Sequence, residues 1–434
     1  MTKMLVRLVL VLAGAVALAA SVAGAAPVGA LTQFAVGAGH VPFRIASGAD
    51  GAVWFTDQGA VKAIGRITTG GAFSYIPLPA GSFPRQIRVG ADGNIWYTDT
   101  TTPAVGRLNP DGTVTVFALP AGSFPNALAV GDDDNLWVTD RGTSAAIVRV
   151  TPAGVMTRFS AGLNAGSLPN GIAPGSDGNL WFTDQGSTRA LGRITTSGAI
   201  TEFSAGLNGG TLPAALSPGP DGAVWFTDQG ATKAIGRIAA DGVITESSAG
   251  LNAGSNPQEV TPGADGDLWF TDRGTTKAIG QITLTDTGWT ITNHNLASTL
   301  SPGGVRTGPD GNLWFTDNGA PQAIGRFGVG APAASIRAPR IKASGEAGDV
   351  LHCKKGKWSR WAGDKPSRTR FGFDGYRWQR DGIAIAGAAS KKYEPTAADV
   401  GHELSCSETV TYTLFPTTVT ATSAPVDVRG HKQK

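Results

Sequence analysis

The chain has 434 residues, with 61 Gly, 26 Pro and 16% charged residues, a composition too apolar for wholesale disorder and long enough for two domains. Its formal charge of +3 is unevenly spread, at +2 over residues 1–25, −6 over 26–332 and +7 over 333–434. After the first 25 residues no stretch reaches the roughly 18 consecutive apolar residues of a membrane span, so the mature chain is expected to be soluble.

At the N-terminus, Lys3 and Arg7 precede an apolar run over residues 8–20 and then Ala23-Gly24-Ala25, the small-x-small pattern of a secretory signal peptide. Residues 1–25 are therefore read as a signal cleaved after Ala25, which makes the protein secreted or cell-surface associated; retention as an anchor is the alternative.

From residue 54 a tetrapeptide recurs: Trp, then Phe, Tyr or Val, then Thr-Asp. It starts at Trp54, Trp96, Trp137, Trp181, Trp225, Trp269 and Trp314, with spacings of 42, 41, 44, 44, 44 and 45 residues. That period fits one four-stranded propeller blade per copy. Each unit opens at a Pro with strand a, turns through an Asp-Gly pair such as Asp177-Gly178, and runs through the tetrapeptide as strand b. Ile-Gly-Arg-Ile then forms strand c, and Ile-Thr-Glu-Phe forms strand d. Asp-Gly suits a tight hairpin because Gly takes positive φ freely. Alternation along Leu180-Trp181-Phe182-Thr183 sends Trp and Phe to opposite faces, each covered by a neighbouring blade. Residues 30–34 resemble strand d yet precede the first full repeat, while the last repeat ends at Phe327 without one. Residues 30–34 should complete the seventh blade and close the ring. The expected fold is all-β: a seven-bladed β-propeller over residues 26–327 and, after a small-residue linker at 328–334, an immunoglobulin-like β-sandwich over 335–434.

That second domain holds the two cysteines, Cys353 and Cys406, with Trp378 between them. In an exported chain they are read as one disulfide, and the Cys, Trp, Cys spacing fits an immunoglobulin sandwich. Residues 399–406 look like the E–F corner of such domains, with Leu404 where the corner tyrosine would sit. The segment also resembles Ig-like modules appended to secreted actinobacterial proteins, through Gly356-Lys357-Trp358-Ser359 and Trp378-Gln379-Arg380-Asp381-Gly382; that resemblance implies a spacer or surface-adhesion role. The basic run over residues 354–380 is a surface or cell-wall contact at most.

The recurring unit Gly308-Pro309-Asp310-Gly311-Asn312-Leu313-Trp314-Phe315-Thr316-Asp317 with Ile324-Gly325-Arg326 resembles the virginiamycin B lyase (streptogramin lyase) family over residues 30–327. The resemblance implies opening of an antibiotic's ester-linked ring by elimination, with a divalent ion such as Mg²⁺ and His as acid and base. The family's His stands directly after the Pro that opens strand a, a Glu fourteen residues later, and a second His four beyond it. Here the first position holds Phe43, Arg85, Asn126, Asn170, Ala214, Gln258 and Gly303; the Glu positions are all Asp; and the last holds Val61, Pro103, Ser144, Thr188, Thr232, Thr276 and Pro321. None is His. Asn, Ala and Gly cannot take the α-proton, so the lyase chemistry is not expected to transfer.

Two histidines, His40 and His294, are placed in d–a loops leading into neighbouring blades one and seven and are the catalytic candidates. The aspartates ending strand b, Asp57, Asp99, Asp140, Asp184, Asp228, Asp272 and Asp317, read first as caps of strand-ending turns and second as a cation site. Arg66, Arg107, Arg149, Arg193, Arg237 and Arg326 recur in strand c, with Gln281 breaking the series, and are read as blade-to-blade ion pairs. What varies on this fixed scaffold is the set Phe43, Arg85, Asn126, Asn170 and Gln258 at the channel mouth, the expected ligand site. The sequence carries no Walker loop, zinc spacing, nucleophile elbow or nucleic-acid pattern. The leading expectation is a monomeric secreted propeller that binds a small molecule, glycan or protein at this top face and needs no cofactor. A Mg²⁺-dependent lyase using other residues, and a cell-wall or carbohydrate binder, are the alternatives.

Overall fold

The computed structural model describes residues 26–285, 287–330, 335–337, 339–342, 349–354, 357–358, 371–385, 387–412 and 418–429. The expected signal segment lies outside them, as does much of the basic run at 354–380.

Residues 31–327 form seven four-stranded antiparallel sheets. Blade 1 is typical, with strand a at Pro42–Ser47, b at Ala52–Asp57, c at Ala63–Thr68 and d at Phe73–Pro77. The first strands of successive blades touch in a closed ring, in which Pro302–Thr307 of blade 7 meets Pro42–Ser47 of blade 1. The ring is locked where the N-terminal strand Leu31–Ala35 pairs with Ala323–Phe327 as the outer strand of blade 7, Leu31 opposite Phe327 and Phe34 opposite Ile324.

Each letter of the tetrapeptide has one job. The Trp is buried in six blades and half-buried in blade 1, and its Nε1 donates to the turn Asp four residues earlier in every blade, as Trp181 does to Asp177 at 3.2 Å and Trp314 to Asp310 at 2.8 Å. The ring at the second position covers the strand c glycine: a Cβ on Gly192 would sit 2.0 Å from Phe182 Cζ, so only Gly fits. The Thr hydroxyl accepts from its own strand a and donates across to the next blade. Thr183 takes the Gly171 N–H at 2.8 Å and gives to the Ala214 carbonyl at 2.8 Å. The same donation reaches Arg85, Asn126, Asn170, Gln258, Gly303 and Phe43 from the other blades. The Asp caps the loop beyond, as described below.

The strand c arginines lie over the Trp of their own blade, Arg193 Cζ 5.6 Å from the Trp181 ring. Their links between blades are hydrogen bonds to carbonyls, Arg107 to Pro152, Arg149 to Thr196, Arg193 to Ala240 and Arg326 to Thr69. Their ion pairs, where present, stay within a blade, as for Arg66 with Asp50 at 2.7 Å. This corrects the expected pairing across blades: a neutral carbonyl is what the adjacent c–d turn presents.

In the C-terminal region, Arg340–Lys342, Leu351–Lys354 and Lys392–Tyr393 form one sheet, and Phe371–Arg380 with Glu403–Tyr412 form the centre of another. A disulfide joins Cys353 to Cys406 between the two sheets. Trp378 is buried beside it with Leu351, Leu404 and Val428, and the Arg380 guanidinium pairs with Asp399 at 2.6 Å.

Candidate functional site

The Thr staple fixes the carbonyl of the residue after each strand a Pro, so seven positions are brought to one end of the channel. Phe43, Arg85, Asn126, Asn170 and Gln258 all line a single cavity there of about 230 Å³, together with Ala214. Gly303, the seventh, contributes no side chain and is not part of the lining. The cavity is smaller than the roughly 300–1,000 Å³ of sites for drug-sized ligands, which suits a small occupant.

Its lining is polar in two ways. Amides come from Gln86, Asn126, Asn170, Gln185, Gln229 and Gln258. Asn126 donates Nδ2 to the Asn170 carbonyl at 2.9 Å and to Asn170 Oδ1 at 3.0 Å, and Asn170 donates to the Ala214 carbonyl at 3.3 Å. This chain of bonds fixes the orientation of Asn126 and leaves its buried Oδ1 with no donor. Gln185 and Gln229 brace the rim by donating to the Pro213 and Pro257 carbonyls at 2.9 and 2.8 Å.

Guanidinium groups supply the second kind of polarity. Glu259, nearly fully buried, takes Arg44 on Oε1 at 3.0 Å and Arg306 on Oε2 at 3.0 Å. Burial acts to raise this carboxyl; Arg306, Arg44 and Arg88 outweigh it and hold the group at about 2. Arg141 donates to Asn170 Oδ1 at 2.9 Å and Arg273 to the Pro302 carbonyl at 3.3 Å. Arg85 differs. Its guanidinium sits between two aromatic rings, 5.6 Å from Phe43 and 5.5 Å from Phe124, and has no hydrogen-bond acceptor or carboxylate among the described residues. Burial first, and then repulsion from Arg44 and Arg141, bring it down to about 10, so it stays charged at neutral pH.

The aspartates that end strand b are buried and committed. In every blade Oδ1 accepts backbone N–H groups of the loops, as Asp228 does from Leu212 at 2.6 Å and Gly230 at 2.7 Å, and Asp317 from Ser301 at 2.6 Å and Gly319 at 2.9 Å. Several Oδ2 atoms are also taken: Asp140 by Arg158, Asp228 by Thr211, Asp272 by Ser255 and Asp317 by Gln33. Asp57, Asp99 and Asp184 make the same Oδ1 caps. Among the described residues no group of three or more His, Cys, Asp or Glu stands where it could hold a metal ion. A divalent cation needs oxygen ligands, and a mouth lined by guanidinium groups, whose one carboxylate is spent on Arg44 and Arg306, does not fit Mg²⁺.

The two histidines do not meet. His40 lies in the loop before strand a of blade 1, pairs through Nδ1 with Asp57 and stacks on Tyr75 with ring centroids 3.9 Å apart. His294 is not in a loop: it belongs to strand d of blade 6, Gly288–Asn295, opposite Ile279. The c–d hairpin there is lengthened on both sides, which extends strand d past the point where the repeat pattern ends it. His294 stacks on Trp269 and edges onto Phe327, and burial lowers its pKa. Neither lines the cavity.

Sequence reasoning missed Arg44, Arg141, Arg273 and Glu259. Arg141 and Arg273 directly follow the repeated Asp, where the repeat suggests only a turn, and Arg273 approaches because Gly303 has no side chain: a Cβ there would lie 2.8 Å from its Nη2.

The model of the virginiamycin B lyase family matches residues 15–208 and 188–347. Among solved structures, a streptogramin B lyase is 30% identical, with 68% of this chain and 96% of that one covered and a TM-score of 0.61. A virginiamycin B lyase from Staphylococcus aureus is 29% identical over 69% of this chain and 99% of that one, with a TM-score of 0.61. The extracellular domain of a hybrid two-component system from B. thetaiotaomicron, 12% identical with a TM-score of 0.54 over 93% of this chain and 58% of that one, shares the fold alone. No curated protein matches the sequence.

Proposed function

The chain belongs to the virginiamycin B lyase family, and from that premise we propose that it is an exported propeller which binds a small ligand in the mouth of its channel and does not carry out the lyases' elimination. One observation carries the reading: the positions that vary from blade to blade converge on one cavity, and none of them is a group able to accept a proton at neutral pH. The amides and Arg85 bind and orient a polar ligand; Phe43 offers it an apolar wall.

The test is direct. Incubated with Mg²⁺ and a streptogramin B antibiotic, the purified protein should yield no linear product above a no-enzyme control by mass spectrometry, and ring opening above that control sinks the reading. Ala215→Trp, at a half-buried cavity position, should abolish ligand binding while the protein melts cooperatively.

Export is supported by the N-terminal signal pattern. The C-terminal region is proposed as an immunoglobulin-like spacer whose positive charge contacts an anionic cell surface. Retention of that region on cell-wall polysaccharide, lost on raising salt, is the expected result of a pull-down.

A further inference from the structure

Resting on the top-face reading, we infer that the channel mouth takes a small hydroxylated anion, a sugar or polyol that carries a carboxylate or a phosphate. Two residues of one cavity lining, Arg85 and Asn126, carry polar groups with no partner among the described residues, and these are of opposite kind. The Arg85 guanidinium, beside the rings of Phe43 and Phe124, has no acceptor among the described residues. Guanidinium donors of this geometry are matched by the paired oxygens of a carboxylate or phosphate. Two further guanidinium groups, Arg44 and Arg141, are close enough to repel Arg85, and that repulsion is relieved when an anion enters. Glu259 does not cancel the charge on Arg85, because its two oxygens are engaged by Arg44 and Arg306.

The second open valence is Asn126 Oδ1, buried without a donor. An acceptor of this sort costs about 1–3 kcal/mol to leave unmade, and a ligand hydroxyl supplies what it lacks. The remaining lining, Gln86, Gln185, Gln229 and Gln258, is made of amides that suit further hydroxyls. A simple inorganic anion satisfies Arg85 alone; a neutral sugar satisfies Asn126 alone. An acidic sugar satisfies both.

Isothermal titration of the full exported chain with glucuronate, glucose 6-phosphate, inorganic phosphate and glucose reads each valence separately. Glucuronate and glucose 6-phosphate are expected to bind, the tighter of the two identifying carboxylate or phosphate as the favoured oxyanion, and glucose to bind roughly tenfold or more weakly. Their affinity should fall as salt rises. Arg85→Gln should weaken both charged sugars by roughly tenfold or more, Arg85→Lys by less, and Asn126→Ala should weaken the charged sugars but not inorganic phosphate. Glucose bound as tightly as glucuronate, no binding of any charged probe, or an Arg85→Gln variant equal to the parent overturns the inference. The top-face reading fails separately: a neutral ligand lost in Ala215→Trp but kept in Arg85→Gln sinks only the anion, whereas charged sugars bound unchanged by Ala215→Trp sink both.

Discussion

The two ends of each strand b treat polarity in opposite ways. At the hairpin end, the turn Asp of every blade receives the Trp Nε1 of its own motif, as at Asp92 and Asp133, so that donor and acceptor cancel inside one blade. At the channel end, the residue after each strand a Pro is tied to its neighbour in every blade through its backbone carbonyl, so that its side chain is free to differ. The Trp Nε1 and Thr hydroxyl groups that repeat in all copies have partners within the chain. Those that vary include Arg85 and Asn126 Oδ1, which have no hydrogen-bond partner among the described residues. The difference separates architecture from recognition without reference to any relative.

That contrast can be broken at several points. Trp181→Ala, at the saturated end, should cost about 3–5 kcal/mol and lower the melting midpoint by on the order of 10 °C in calorimetry; a loss as large from Arg85→Gln would erase the distinction. Thr183→Val strands the Gly171 N–H and leaves the Ala214 carbonyl only its 3.3 Å bond from Asn170, and should cost about 1–3 kcal/mol in denaturant unfolding, with Thr183→Ser recovering most of it.

A third test uses pH. Glu202 and Glu246 extend from strand d toward the strand b aspartates of their own blades. Burial and the Asp184 charge push Glu202 up to about 7, and burial, with Asp228 adding to it, pushes Glu246 up to about 7. A carboxyl raised on folding favours the native state while protonated. Its contribution is full below the unfolded value near 4.5 and is lost as pH climbs through about 7. The Glu202→Gln, Glu246→Gln double variant should therefore match the parent near pH 4 and melt a few degrees higher at pH 8. Equal midpoints at both pH values would show that these carboxyls ionise freely. The smallest effect is expected from Arg85→Gln, which removes a repelled charge and should leave the melting midpoint unchanged or slightly higher.

The blade pattern was legible because it repeats: seven spaced tryptophans and a stray strand at residues 30–34 already imply the closed ring found between Leu31–Ala35 and Ala323–Phe327. Phe43, Arg85, Asn126, Asn170 and Gln258 were legible as a set because they break a pattern around them. Glu259 was not, since its partners Arg44 and Arg306 come from blades 1 and 7, and no local spacing reveals a contact across a channel. His294 misled for the reverse reason: a longer hairpin in blade 6 carried it out of the loop that the average repeat assigns to it.

The threonine staples also bear on how such a ring diverges. Because each hydroxyl grips a main-chain carbonyl, the grip is indifferent to the letter written at that position; it holds Phe43, Ala214 and Gly303 alike. The mouth can be respelled one residue at a time while the frame that presents it stands still. Neighbours in sequence space can then part company over what they bind long before they differ in shape.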